Sequence, residues 1–154
     1  MHDKIITVDQ LDRLDKVKGK RVLIGGCFDI LHYGHTSFLI NARQEGDLLI
    51  VMLESDEFIK KYKNRTPFHT QQQRAEILAQ LMVVDYVIKL PLMEGDTSYA
   101  DLVKKIHPTV IAVTAKDPKL DLKKEQAEAV RAEVKEVVNL LPFSSTQYAT
   151  ILGH

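Results

Sequence analysis

Short apolar runs alternate along the chain with stretches in which apolar residues recur every three or four positions. An unbroken apolar run is typical of a buried strand, and recurrence every three or four residues is typical of a helix with one buried face. The runs predict five strands, at residues 21–25, 48–53, 83–90, 110–113 and 136–141. The spacing predicts helices at residues 8–17, 35–44, 71–82, 98–106 and 122–132, and a short last helix capped by Ser144 or Ser145.

Strands that alternate with helices favour repeated βαβ units and a buried parallel sheet. We therefore predict an α/β fold with a single doubly wound, Rossmann-like, five-stranded, mainly parallel sheet and helices on both faces. The chain of 154 residues suits one domain spanning residues 1–154, with residues 1–20 as an N-terminal helical lead-in. Ligands bind such a sheet beyond the carboxyl ends of its strands, where the loops after the first two strands come together.

Composition and charge narrow the range of partners. Lysine plus arginine number 21 and aspartate plus glutamate also number 21, which argues against a large excess of positive charge for nucleic acid. The single cysteine, Cys27, excludes an internal disulfide framework and fits a reducing compartment. No apolar run approaches the roughly 20 residues that span a bilayer, and the first residues lack a long apolar segment. We therefore expect a cytoplasmic protein without a nucleic-acid or membrane partner.

The loop after the first predicted strand carries two histidines three residues apart, His32 and His35. Gly34 lets a phosphate approach the backbone closely, and the N–H groups at the start of the following helix favour an anion. Both imidazoles could donate hydrogen bonds to one phosphate. Alternatively, one histidine caps the helix and the other is an ordinary surface residue. Placement at a helix entry favours the phosphate site, and since zinc would need further ligands nearby, we predict no protein-bound metal.

Residues 26–35 read G-C-F-D-I-L-H-Y-G-H and closely resemble the G-x-F-D-x-x-H-x-G-H signature of a nucleotidyltransferase superfamily. The resemblance is closest to heptose-1-phosphate adenylyltransferases, then to glycerol-3-phosphate cytidylyltransferases and archaeal-type FAD synthetases. It implies an enzyme that transfers a nucleoside monophosphate from an NTP to a phosphorylated small molecule, such as a sugar phosphate, and releases pyrophosphate. It also implies Mg²⁺ carried by the nucleotide, and a homodimer.

The resemblance assigns roles within this loop. His32 and His35 are the catalytic residues, which would hold the α- and β-phosphates. We expect the cysteine to be a small filler beneath the phosphates and not a nucleophile, since the transfer needs none. The nucleotide-binding positions implied here are Gly26, Cys27, Phe28, Asp29 and Gly34.

A basic segment, residues 55–67, follows the second predicted strand, and we expect a loop there. Taken alone, it is typical of a solvated surface loop. Family members, however, carry a catalytic, phosphate-binding lysine near Lys63, with Lys60 as the second choice.

Two later segments also resemble the family. Arg74 lines up with a nucleotide-binding arginine, and the alternative is an ordinary exposed helix arginine. The hydroxyl-rich segment before the last helix could form a second anion site from hydroxyls and free N–H groups. Its nucleotide-binding residues are Ser144, Ser145 and Thr146.

Departures from the family bear on the substrates. Cytidylyltransferases usually carry arginines where this chain has Met82 and Asn139, so we expect ATP to be favoured over CTP. Residues 114–117 replace a K-G-G-D-Y segment of the heptose enzymes, which leaves the acceptor open. The alternatives are a cytidylyltransferase for glycerol-3-phosphate or a similar polyol phosphate, a non-catalytic nucleotide-binding regulatory protein, and a flavodoxin-like electron carrier.

Overall fold

The computed structural model describes residues 2–138 and residue 150 of the chain. Its strands are β1 (Ile5–Thr7), β2 (Arg21–Gly26), β3 (Leu48–Leu53), β4 (Tyr86–Lys89), β5 (Val110–Val113) and β6 (Glu133–Glu136). Its α-helices are α1 (Tyr33–Arg43), α2 (Asp56–Tyr62), α3 (Gln71–Ala79), α4 (Gly95–Ile106) and α5 (Leu120–Ala129). The strands form one parallel sheet in the order β1-β4-β3-β2-β5-β6.

Helices cover both faces of the sheet, so its central strands are apolar on both sides. On one face Leu102 of α4 joins the apolar cluster that contains Ile50 of β3. On the other face Leu39 of α1 and Leu78 of α3 join the cluster that contains Val51. Successive residues of β3 thus enter opposite cores, which explains why its sequence is an unbroken apolar run. The predicted α/β, doubly wound fold is confirmed.

The order of the strands places a crevice at the carboxyl end of β2. The chain moves outward from β2 through β3 to β4 and then returns to the other side of β2 with β5. Ligands bind at such a reversal because the loops on its two sides diverge. β2 and β3 pair along their full length, with Gly26 opposite Leu53. The histidine loop, residues 26–35, and the segment after β3 therefore begin side by side.

The sheet has six strands in the described region, so the prediction of five was wrong. The additional strand, β1, lies inside the lead-in predicted to be helical, and it pairs Ile5 with Val87 of β4. Three residues are too few to show a strand period. The segment that follows, Val8–Leu14, is a 3₁₀ helix rather than an α-helix. Its apolar residues recur every three positions, which is the 3₁₀ repeat.

Two further predictions about secondary structure need correction. The basic segment after β3 is not only a loop, because it contains α2, capped by the Ser55 hydroxyl, which accepts from the Phe58 N–H at 3.1 Å. The last observed strand, Glu133–Glu136, ends at the residue where the predicted one begins, because an edge strand with three charged residues out of four lacks the apolar run that follows it. The predicted last helix lies outside the described residues. Within the described chain, every helix is too short or too polar to span a bilayer.

Candidate active site

A cavity of about 520 Å³ lies at the carboxyl end of the sheet. Its walls come from the histidine loop, the ends of β3 and β4, α2 with the residues after it, and the first turns of α4 and α5. Among the residues predicted to form the site, it brings together Gly26, Cys27, Phe28, His35 and Lys63. This is the location that the strand order predicts for a ligand.

His32 caps helix α1 and stacks on His35. The backbone of His32 is extended, and its Nδ1 accepts a hydrogen bond from the His35 N–H at 3.3 Å. The two imidazole rings are 3.7 Å apart between centroids and inclined by 20°. Since Nδ1 of His32 is an acceptor, a neutral His32 carries its proton on Nε2. One histidine thus caps the helix, as the alternative prediction had it, and the same imidazole also stacks on that of His35.

Burial keeps both imidazoles neutral at neutral pH. It lowers the pKa of His32. Burial and the neighbouring His32 lower the pKa of His35 to about 4, although a hydrogen bond to the backbone of Ile30 opposes the shift. Each neutral ring carries one N–H donor, which in His35 is hydrogen-bonded to the Ile30 backbone, and neither ring brings a positive charge to the stacked pair. Either ring can donate its N–H to a phosphate, which in His35 requires exchanging the bond to Ile30.

The glycine at the end of β2 is required by the shape of this loop. A Cβ added at Gly26 would lie 2.9 Å from Cε2 of Phe28, closer than side chains normally approach. Phe28 has a left-handed backbone (φ 46°), and its ring meets His35 edge-on at 5.3 Å between centroids. The Phe28 ring therefore packs between the end of β2 and the imidazole of His35.

Asp29, predicted to bind nucleotide, is occupied by protein donors. Its carboxylate accepts from Arg65 at 2.6 Å and from the backbone N–H groups of Phe68 and His69 at 2.8 and 2.9 Å. Burial would raise the pKa of Asp29, but these hydrogen bonds outweigh it and lower the pKa. With 1% of its surface exposed, Asp29 ties the histidine loop to the chain before α3.

Arg74 is completely buried, so the alternative of an exposed helix arginine is wrong. Its guanidinium donates to the carbonyls of Cys27 and Glu54 at 2.8 and 2.9 Å and to Asp56 at 2.7 Å. A further bond reaches the His69 carbonyl at 3.2 Å. Arg74 thus joins the loops after β2 and β3 to the start of α2, and these acceptors engage each of its three nitrogens.

The two candidate lysines occupy different positions. Lys63 caps the carboxyl end of α2 and lines the cavity, whereas the exposed Lys60 on α2 is not among the lining residues. Arg65 also lines the cavity while paired with Asp29. The basic segment predicted cations at this edge, but it could not single out Arg65, because the partner that holds it lies 36 residues earlier.

Glu54 and Tyr99 line the same cavity, and the sequence reasoning missed both. The Tyr99 hydroxyl donates to the two carboxylate oxygens of Glu54 at 2.7 and 3.1 Å. Burial raises the pKa of Glu54, against the hydrogen bond from Tyr99 and the nearby cations. Burial also raises the pKa of Tyr99, with the carboxylate adding to the effect. One signal was present: a carboxylate directly after the apolar run of β3.

The remaining residues that the sequence analysis singled out fall into four cases. Burial raises the pKa of the Cys27 thiol to about 11, which leaves it protonated and a poor nucleophile. Gly34 is buried in the first turn of α1. Met82 is 95% exposed and precedes β4, so it lies at the amino edge of the sheet, opposite the cavity. Outside the described residues lie Asn139, Ser144, Ser145 and Thr146.

Comparison with known proteins identifies the family. Residues 23–151 match the family described as Cytidylyltransferase-like. The Bifunctional protein HldE of Campylobacter concisus is 37% identical over 91% of this chain and 28% of its own length. The Bifunctional protein HldE of Campylobacter fetus is 40% identical over 70% of this chain and 23% of its own length. This chain thus spans about a quarter of the HldE proteins. The FAD synthase of Thermococcus sibiricus is 33% identical over 85% of this chain and 86% of its own length.

A solved structure supports the same fold. The lipopolysaccharide core biosynthesis protein of Thermoplasma volcanium has a TM-score of 0.68 and 24% identity, covering 80% of this chain and all of its own. At that identity the likeness concerns the fold alone. The family match, by contrast, covers most of the chain and includes the histidine loop at the cavity. The chain belongs to the Cytidylyltransferase-like family of nucleotidyltransferases.

Proposed function

We propose that this enzyme transfers AMP from ATP to a phosphorylated small molecule, such as a sugar phosphate, and releases pyrophosphate. The observation that supports this most is the stacked pair of neutral imidazoles at the start of α1, of which His35 lines the cavity together with Lys63. Helix N–H groups, imidazole donors and a mobile ammonium together suit the oxygens of a triphosphate.

In the proposed reaction a phosphate oxygen of the acceptor attacks the α-phosphorus in line. A new P–O bond forms as the bond between the α-phosphorus and the bridging oxygen breaks, and pyrophosphate leaves with that oxygen. Fixed donors offset the charge on the transferring group. His32 and His35 would donate to the α- and β-phosphates, and Lys63 would hold the departing pyrophosphate. Ser145 and Thr146 would contact its far side.

The loop residues divide between contact and support in this proposal. We assign nucleotide contact to Gly26, Cys27, Phe28 and Gly34 and leave Ser144 with them as a candidate. Asp29 and Arg74 would instead act as positioning residues, since their polar groups are engaged with protein partners.

The donor set fits a magnesium ion that arrives with the triphosphate. Residues 2–138 and 150 include no group of three His, Cys, Asp or Glu side chains able to hold an ion, whereas Mg²⁺ readily keeps phosphate and water ligands. Asp96 lines the cavity and could add one carboxylate ligand. A bound Mg²⁺ offsets charge on the phosphates.

The relatives support AMP as the transferred group. FAD is FMN joined to AMP through a pyrophosphate, so a protein named FAD synthase points to adenylyl transfer onto a phosphorylated acceptor. FMN therefore joins the sugar phosphates as a candidate acceptor. Met82 no longer supports ATP over CTP, because it lies at the opposite edge of the sheet. We further propose a cytoplasmic homodimer that needs no nucleic-acid or membrane partner.

Pyrophosphate release tests this proposal. Mg-ATP and Mg-CTP are each supplied with a sugar phosphate, FMN or glycerol 3-phosphate, and we expect release that requires ATP and an acceptor. Lys63→Ala should lower the rate far more than Lys60→Ala, its matched control on the same helix. Pyrophosphate release that occurs with CTP and an acceptor, but not with ATP, would establish the cytidylyltransferase alternative. Nucleotide binding without release with any acceptor would favour the regulatory one, and a yellow purified protein would favour the flavodoxin-like carrier.

A further inference from the structure

The Glu54–Tyr99 pair has no role in the proposed phosphate chemistry, yet both side chains line the cavity. Glu54 directly follows β3 and is 7% exposed. Tyr99 reaches it from α4 and is partly buried. A buried carboxylate is costly unless donors satisfy it, so its retention at the wall of a ligand cavity calls for a reason.

The carboxylate of Glu54 keeps acceptor capacity after its bond with Tyr99. A tyrosine hydroxyl has one proton to donate, whereas two carboxylate oxygens offer about four acceptor positions. Lys63, Arg74 and Lys123 are near enough to favour its charged form. Arg74 donates to the Glu54 backbone carbonyl, and Lys123 pairs with Asp117 at 2.5 Å. The side chain therefore presents lone pairs to the cavity while its position is held by Tyr99.

The charge of Glu54 indicates what it would bind. A phosphate would be repelled by the Glu54 carboxylate, whereas Lys63 and Arg65, which line the same cavity, would attract it. A neutral hydroxyl, in contrast, can donate to a carboxylate, and such charge-assisted bonds are short and strong. The cavity thus combines cations that suit a phosphate with a carboxylate that suits hydroxyl groups on the carbon chain of the same ester.

We propose that Glu54, held in place by Tyr99, accepts a hydrogen bond from a hydroxyl group on the carbon chain of the phosphorylated acceptor and thereby selects polyhydroxylated phosphate esters. This rests on the proposed function, since it takes the cavity to hold the acceptor beside the triphosphate. The competing role is purely structural, with the pair joining α4 to the end of β3. A structural role would affect every ligand alike, whereas selection affects only ligands that carry hydroxyls.

Calorimetric titration of two matched phosphates separates these roles. Ribitol 5-phosphate and pentyl phosphate have five-carbon chains and the same phosphate, but only the first carries hydroxyls. We expect Glu54→Gln to weaken ribitol 5-phosphate about tenfold, as loss of a charge-assisted bond implies, and to change pentyl phosphate less than about twofold. Tyr99→Phe should weaken ribitol 5-phosphate in the same selective way. Glu57→Gln, an exposed change on α2, should alter neither affinity.

Mg-ATP is titrated into each variant to report on the phosphate site. If Glu54→Gln does not fold, Tyr99→Phe carries the same comparison. Equal weakening of both phosphates, or no change in either, would overturn the inference. Failure of ribitol 5-phosphate to bind the unaltered protein would overturn it as well. Neither result would decide the proposed function, because pyrophosphate release from ATP with the other acceptors tests that separately.

Discussion

Arg74 is the side chain whose replacement should damage the site most without removing a ligand contact. It is completely buried and joins three backbone carbonyls to the Asp56 carboxylate. One of those carbonyls belongs to Cys27 in the histidine loop, and another to Glu54 after β3. The planar guanidinium reaches them all at once, which a lysine ammonium with three donors on a single nitrogen cannot do.

The size of the effect follows from these bonds. Breaking a buried ion pair by removing one partner typically costs about 3–5 kcal/mol. Asp56 keeps 29% of its side chain exposed and can regain water, but the buried carbonyl groups lose their donor at about 1–3 kcal/mol each. We expect Arg74→Met to lower the free energy of unfolding by about 4 kcal/mol. Arg74→Lys, which keeps the charge and part of the bonding, should cost about 2 kcal/mol.

Urea unfolding followed by circular dichroism measures these costs, and Arg43 supplies a matched control. Arg43 also pairs with an aspartate, Asp85 at 3.2 Å, but both side chains are about one-third exposed. Exposed pairs contribute about 0–1 kcal/mol, so Arg43→Lys should be nearly neutral. If Arg74→Lys and Arg43→Lys differed by less than about 0.5 kcal/mol, the range of ordinary surface changes, the reasoning from buried bonds would be refuted.

Four further outcomes are expected. His32→Ala and His35→Ala should each lower kcat for pyrophosphate release about a hundredfold, the usual cost of a fixed donor to developing charge, in a chain that stays folded; a loss below about tenfold would contradict their catalytic role. Cys27→Ala and Cys27→Ser should keep most activity, and inactivity of both with nucleotide binding intact would show that the thiol is needed. The pKa of His35 is about 4 in the folded chain and 6.5 as a free side chain, so acid protonates the unfolded chain first and the free energy of unfolding decreases as the pH drops below about 6.5. From about pH 7.5 to pH 5, the free energy of unfolding should decrease by about 2 kcal/mol more in the unaltered protein than in His35→Gln. If thermal unfolding showed equal decreases in the unaltered protein and in His35→Gln, the imidazole would be solvent-exposed and its pKa would not be lowered. Calorimetry should find Mg-ATP bound about tenfold more tightly than Mg-CTP, which is about 1.4 kcal/mol, whereas equal affinity or a preference for CTP would exclude the adenylyl assignment.

The sequence predicted the fold wherever an element was buried on both sides. β3 and β5 were predicted at their observed bounds, because strands between two helical layers are continuous apolar runs. β1 and β6 lie at the edges of the sheet, where pairing with a single neighbour is enough. A three-residue strand and one with three charged residues out of four carry little periodic signal, so the edge strands could not be predicted with the same rule.

The candidate site was predictable where neighbouring residues act together. The spacing of His32 and His35 placed both at one helix entry, and the structure stacks their rings. Glu54 and Tyr99, by contrast, are 45 residues apart and meet because β3 ends and α4 begins at the same cavity. Such a pair has no local spacing that could reveal it. Only the arrangement of the strands brings the carboxylate and the hydroxyl together.

The ten-residue signature of the histidine loop contains residues of two kinds: some line the cavity, and others hold the loop in position. His35 and Gly26 line the cavity, whereas Asp29 is not a lining residue and binds Arg65 and the backbone directly before α3. A carboxylate beside a triphosphate would add repulsion, so its place in the motif makes physical sense as a support rather than as a contact. The cation that neutralises it, Arg65, itself lines the cavity. In the proposed function, the motif would therefore support phosphate binding partly through a residue that no phosphate needs to touch.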